Sequence, residues 1–347
     1  MNFLFTIDTE VYPIHSDWRS DALARDIDRD IYGKTVQGEF GLAYQLEVFA
    51  RHGVKAVFFV EGLHASCPEV GIGPLTRMVE LIQSHGHEVQ LHVHPEWIPA
   101  AKGLSVPDRG YLLTSYSEDE QAELIKTAAD NLMKAGAPAP IAYRAGDYAA
   151  NLDTLRALAR LGFRYDSSFN YLYLGSTCGL RLEEIPWQPR SVEGLTEVPI
   201  SCFQDRPGHY RHCELGACSL GEITTTLTNA LRGAWETYVM VFHSFELVNN
   251  RWTGRTVGPR RRVVRRFEKL CEHLAALSSS GAVLTCGFAD LGPISLPDAQ
   301  PIKGHLAHYA WRNFEQGIEI IRARSKPSSR PASAERGAQV VDRPMPR

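Results

Sequence analysis

Two acids and two imidazoles stand at the same short spacing in this sequence. Asp8 and Glu10 are two residues apart, and so are His92 and His94. On extended backbone such pairs point to one face. Two carboxylates held a few ångströms apart repel, and one pKa rises unless a cation lies between them. Imidazoles plus a carboxylate, with a coordination position left open, make a catalytic site for zinc or a similar divalent ion. The simpler alternative puts His92 and His94 on a solvated turn before Pro95. The acidic pair at the end of a different apolar run favours the metal.

The elements that would position these groups are short apolar runs. Phe3 to Ile7 breaks into Asp8-Thr9-Glu10, and Val89 to Leu91 into His92-Val93-His94. Ile141 to Tyr143 ends in Arg144, and Tyr238 to Phe242 ends in His243. In parallel α/β folds the site gathers at the carboxyl ends of the strands. Four such ends would bring two carboxylates, three imidazoles and a guanidinium to one rim.

Further strands are expected over 54–60, 163–165, 197–200 and 282–286. Helical spacing covers 38–52, 74–85, 117–134, 151–161, 220–232 and 260–277, with Ser117 and Glu120 spaced as a capping box. Strands separated by helices imply parallel pairing. About eight of them over roughly 290 residues suit an α/β barrel better than two small open sheets. The segments 11–37 and 94–116 are long and polar, and read as elaborated loops over the site.

The chain has 347 residues, enough for one large domain or two ordinary ones at roughly 100–200 residues each. Its hydrophobic share of 44% excludes a wholly disordered or collagen-like chain. Lys plus Arg is 37 against 40 for Asp plus Glu, so 37 − 40 = −3, and no nucleic-acid partner is expected. No apolar run reaches the roughly 18 residues of a membrane span. The start has no secretory pattern. Seven cysteines form no CxxC pair, which favours reduced thiols and a cytoplasmic location. A single domain is expected over 1–320, followed by a disordered tail over 321–347 rich in Ser, Pro, Ala and Arg.

At these residues the chain resembles the polysaccharide deacetylases, carbohydrate esterase family 4, with the NodB-homology fold. Thr6-Ile7-Asp8-Thr9-Glu10 is similar to the family's T-F-D-D-G motif, with the acids one residue further apart. Gly86-His87-Glu88-Val89 matches the lead-in to its second motif, H-[ST]-x-x-H. Position 96 is Glu where the second His would stand, so the ligands are either His92 and His94 or His92 and Glu96. Pro95 follows His94 as Pro commonly follows the motif's second His, which favours the first. Tyr143-Arg144-Ala145-Gly146 resembles R-x-P-[YFW], with Gly146 in place of Pro. Phe163 to Ser168 resembles a fourth region in which an Asp, here Asp166, supports the site. Val241-Phe242-His243 resembles the last motif. The likeness runs from residue 3 to about 290.

The resemblance implies an α/β fold, an irregular (β/α) barrel of about seven to eight parallel strands, and a hydrolase that removes N- or O-acetyl groups from sugars with one divalent metal. Zinc is expected, with cobalt, manganese and nickel as alternatives. Glu10, His92 and His94 would hold the ion. Asp8 would be the general base, aimed by Arg144, and His243 the general acid that protonates the leaving group. The reverse assignment, Glu10 as base and Asp8 as ligand, stays open. The expected partner is an acetylated saccharide or lipid-linked sugar; the oligomeric state is left open. Two other readings remain: an amidohydrolase of small non-sugar C–N substrates, and a saccharide-binding relative without turnover.

Other features are expected to be structural. The basic run 251–269 reads as a solvated loop and helix start. His209, His212, Cys213 and Cys218 have poor spacing for zinc. Trp97, Trp187 and Trp252 could stack on a sugar or simply pack.

Overall fold

The structure, a computed structural model, describes residues 1–11, 20–248, 258–292 and 299–324. Its strands in chain order are β1 (Asn2–Thr9), β2 (Lys34–Thr35), β3 (Gly38–Glu39), β4 (Val57–Glu61), β5 (Glu88–Val93), β6 (Ala142–Ala145) and β7 (Tyr165–Asp166). They continue with β8 (Arg190–Val192), β9 (Leu195–Glu197), β10 (Cys202–Arg206), β11 (His209–His212), β12 (Thr237–His243), β13 (Leu284–Thr285) and β14 (Ile302–Lys303). The helices are α1 (Ser20–Asp30), α2 (Leu42–His52), α3 (Gly73–Ser84), α4 (Glu118–Lys134), α5 (Leu152–Arg160), α6 (Leu220–Arg232), α7 (Arg261–Ser279) and α8 (Leu306–Arg324).

The main sheet has the order β12-β1-β4-β5-β6-β7-β9-β8, with β13 beside the start of β1. Pairing is parallel from β12 through β9, and β8 adds an antiparallel edge. This is the expected irregular (β/α) barrel, a half-barrel of eight strands curled over its own inner face.

Period-two alternation on β1 divides the packing. Phe3, Phe5 and Ile7 pack among the helices, whereas Leu4 joins an inner cluster with Val57, Phe59, Val239 and Val241. Phe5 and Phe49 meet edge to face at 5.0 Å, and Phe49 and Phe267 at 5.1 Å, which locks α2 and α7 onto the sheet. Full burial of such a ring contributes about 1.5–3 kcal/mol. Thr6 and Asp8 share the inner face with Leu4.

The sheet register sets the site. Asp8 is level with His243 on one side and Phe59 on the other. His92 is level with Glu61 and with Arg144. Thus the four strand ends singled out in the sequence lie side by side.

The expectation of a bare loop over 11–37 is corrected. Its described part forms α1 and the β2–β3 hairpin. Leu23, Ile27 and Ile31 repeat every four residues and are buried, a helical stripe masked by the surrounding charge. Arg29 pairs with Asp26 and Asp30 there. The hairpin β10–β11 and its parallel partner β14 form a small second sheet that the apolar pattern did not announce. By contrast, 94–116 has only single turns at Pro95–Trp97 and Leu113–Ser115, as a loop should. Helix α8 crosses the expected domain end at 320. Residues 325–347 of the expected tail, Trp252, and 251–257 of the basic run lie outside the described residues.

Candidate active site

Glu10, just beyond β1, meets the two histidines that end β5. Its Oε2 lies 3.2 Å from His92 Nε2 and also touches His94 Nε2. The two Nε2 atoms are 3.1 Å apart. His92 donates its Nδ1–H to the Arg144 carbonyl at 2.7 Å, which leaves the Nε2 lone pair facing Glu10. Burial works to raise the Glu10 pKa, but the two imidazoles outweigh it and hold the carboxyl well below its usual range. Burial likewise opposes charge on His94, yet Glu10 lifts its pKa to about 10. Charge on His94 thus balances the Glu10 carboxylate.

Residues of this kind fit a divalent ion. Tetrahedral bonds of about 2.0–2.1 Å put neighbouring ligand atoms roughly 3.3 Å apart. Two of the three separations, 3.1 and 3.2 Å, are close to that edge length, while Glu10 and His94 stand closer together. Glu96, the alternative third ligand, groups instead with His94 and Asp147.

Gly146 opens the turn after β6. A Cβ there would come within 2.6 Å of His94 Cε1 and Nδ1, so only glycine admits the ring. The next two residues, Asp147 and Tyr148, have φ of 53° and 56°. Non-glycine residues in this region cost roughly 1–3 kcal/mol each and collect at sites that need an unusual backbone.

Arg144 is fully buried under Asp8. Its Nη1 donates to Asp8 Oδ1 at 2.6 Å and to Thr6 Oγ1 at 2.9 Å. Its Nε and Nη2 donate to the carbonyl and hydroxyl of Ser167, at 3.0 and 3.1 Å. The guanidinium lies over the Phe59 ring, 4.3 Å from its centre. Asp8 therefore has one fixed oxygen, and its other oxygen faces His243.

Asp166 takes its place differently. It bonds the Ser168 hydroxyl at 2.7 Å and is hydrogen-bonded to buried Glu197. Ser168 in turn accepts the Ala145 N–H. Burial pushes both carboxyls up, and Asp166 raises Glu197 further. Asp166 thus braces the loop that holds Arg144 and does not reach the Glu10 cluster.

His243 ends β12 with Nε2 3.9 Å from Asp8 Oδ2. Its Nδ1 lies 2.5 Å from Glu246 Oε1. Burial opposes its charge, but Glu246, then Asp8 and Glu10, lift its pKa to about 9. Glu246 was not anticipated from sequence; its signal was an acid three residues past His243 in an otherwise apolar segment.

The remaining sequence candidates do not converge. His209 pairs with Asp205, and His212 with Glu214. Cys213 bonds the Tyr238 hydroxyl and Cys218 the His212 carbonyl. Trp97 is buried beside His64, whereas Trp187 stacks on Tyr210. His87 of the lead-in is core: burial lowers its pKa to about 4, and it sits between Phe49 and Phe58. Glu61, the acid that ends β4, caps the backbone of Leu63 and His64. In α7, Lys269 pairs with Glu272 and Arg266 with Glu315.

Residues 41–165 match the family described as polysaccharide deacetylase. That match runs from α2 to the start of β7, about a third of the chain. No curated protein matches the sequence. Among solved structures it is similar to a Mycobacterium smegmatis protein provisionally assigned as a polysaccharide deacetylase. That pair has 20% identity and a TM-score of 0.49 over 86% of this chain and 94% of the other. A family 4 carbohydrate esterase from Streptomyces lividans in complex with acetate has 10% identity, TM-score 0.39, and covers 88% and 98%. A family 4 pseudoenzyme from Bacillus anthracis has 12% identity, TM-score 0.40, and covers 87% and 69%. Among the described residues no helix is long and apolar enough to cross a membrane.

Proposed function

We propose that the protein is a metal-dependent hydrolase that removes an N- or O-acetyl group from a saccharide or saccharide precursor, a lipid-linked sugar among them, in the cytoplasm. The observation that carries this reading is the meeting of Glu10 with His92 and His94 on the same rim as the Asp8–His243 pair. Glu10, His92 and His94 hold the divalent ion, zinc foremost. When bound, that ion supplies Lewis acidity toward water and an acetyl carbonyl. Asp8 accepts the proton of the attacking water at Oδ2, the oxygen that Arg144 leaves open. Arg144 fixes the carboxylate plane. His243 donates a proton from Nε2 to the departing nitrogen or oxygen. Asp166 acts through the Ser167–Ser168 loop on the position of Arg144.

The test is metal analysis of the purified protein together with acetate release from a panel of acetylated sugars. One divalent ion per chain and acetate release are expected. Metal without acetate, but with ammonia or amine release from small amides, replaces this reading by the amidohydrolase one. Neither metal nor turnover leaves a saccharide-binding relative.

A further inference from the structure

Behind His243 a line of acids and an imidazole runs away from the metal group. Glu246 Oε1 lies 2.5 Å from His243 Nδ1. Glu214, His243 and Glu246 each bring a ligand atom within 4.8 Å of the others, and the buried Glu246 Oε2, which His243 leaves open, faces the Glu214 carboxyl with no other partner among the described residues. Glu214 Oε2 lies 2.6 Å from His212 Nε2. Glu246 is 6% exposed and buried His212 covers part of Glu214, whose side chain keeps 22% exposure. Two carboxyl groups bond one another only if a proton lies between them.

The backbone is built for this contact. Val241 of β12 receives Leu215 N–H and gives its own N–H to Cys213, which holds Glu214 level with Val241. Gly216 follows. A Cβ at Gly216 would stand 2.2 Å from Glu246 Oε2, so glycine leaves the room that the carboxyl fills.

We propose that Glu246 and Glu214 share one proton and together act as positioning residues for His243. Protonated Glu246 gives its proton to Glu214 and accepts the Nδ1–H of His243. His212 anchors Glu214 as the ionised member. His243 Nε2 is thereby turned toward Asp8 and the reacting centre. The idea rests on the reading of His243 as the general acid.

Charge in the surroundings agrees. Burial works to raise the Glu214 pKa, but the His212 bond and charge bring it down to about 2. Burial, then Glu214, pushes Glu246 up. The other groups that act on His243 are Asp8 and Glu10 from the β1 end. Arg260 donates to the Glu246 carbonyl at 3.4 Å and, after His243, its charge works against the rise of the Glu246 pKa.

The test uses the metal-loaded full chain and three substitutions. Glu246→Gln imitates the protonated acid: its carbonyl accepts from His243 and its amide donates to Glu214. Glu246→Ala should lower kcat on an N-acetyl sugar by about 10–10²-fold with little change in KM, and Glu246→Gln should recover most of that loss. Glu214→Gln leaves Glu246 ionised against His243. The imidazole signal of His243, followed by NMR, should then titrate about one pH unit higher, as should the basic limb of the kcat profile. A Glu246→Gln enzyme as impaired as Glu246→Ala overturns the shared proton. So does a His243 titration that Glu214→Gln leaves in place. Because Glu214, His243 and Glu246 could also hold an ion, a second divalent ion per chain that is lost in Glu214→Gln overturns it as well. If wild type releases no acetate while the NMR shifts appear as stated, the deacetylase reading fails and the carboxyl pair stands.

Discussion

Gly146 lies against His94 so closely that a Cβ would come within 2.6 Å of the ring. These two residues stand where the chain departs from the second and third motifs it resembles. A histidine two residues after His92, in place of one further along, needs its ring where a larger residue at 146 would stand. The two departures therefore compensate one another in space.

Gly146→Ala should displace the His94 ring and weaken metal binding. Removal of a supporting contact at a metal site typically costs 10–100-fold in affinity. Equilibrium dialysis with zinc measures it. An unchanged dissociation constant would show that His94 is not a ligand.

His92→Ala should abolish stoichiometric metal binding, because Glu10 and His94 alone leave two ligands. The substitution also frees the Arg144 carbonyl that His92 bonds. Metal analysis after gel filtration decides it. Full occupancy in the variant moves the centre to the neighbouring group of His94, Glu96 and Asp147.

Much of this site was legible because strand ends write polar residues after apolar runs. Asp8, Glu10, His92, Arg144 and His243 all stood at such breaks, and the parallel register set them level. Asp166 was read as a supporting acid, but how it supports was not legible, because that depends on Ser168 two residues on and on Glu197 at the end of β9. Helix α1 was hidden because Leu23, Ile27 and Ile31 are three apolar residues in a highly charged stretch. The sheet of β10, β11 and β14 was hidden for another reason. Its strands are two to five residues long and rich in Arg, His and Gln, so alternation had nothing to mark.

The metal-free protein should lose stability in alkali around His94. Its folded pKa of about 10 is above its ordinary value near 6.5. The stabilisation is thus complete below about pH 6.5 and is lost as pH rises through about 10. His243, raised to about 9, acts in the same direction. A metal ion needs the lone pair that the proton occupies, so metal affinity should rise over that same interval. Thermal melts with and without zinc from pH 6 to 10 test both signs. A stabilisation by zinc that shrinks as pH rises would contradict the proton–metal competition.

Asp8→Asn should keep the metal and remove turnover. The amide oxygen can still accept from Arg144, so the fold is retained, but it cannot take a proton from water. A loss of roughly 10²–10⁴-fold in kcat is the expected scale for one general base. If the variant loses metal and keeps residual activity, Asp8 is a ligand and Glu10 the base.

His243→Ala tests the acid by choice of leaving group. An amine must be protonated to depart, whereas an activated phenolate leaves without help. His243 Nε2 lies 3.9 Å from Asp8 Oδ2, close enough for water attack and leaving-group protonation to be served within one pocket. The variant should therefore lose N-acetyl sugar hydrolysis by about 10²-fold or more while aryl acetate hydrolysis falls only slightly. A histidine that merely packs against Phe245 and bonds Glu246 would give a different result. Its loss would lower the melting temperature and reduce both activities by the same factor. Parallel assays on the two substrates, each with the melting temperature recorded, separate the outcomes. Equal loss on both leaves His243 structural and moves the search for the acid to other groups on the rim.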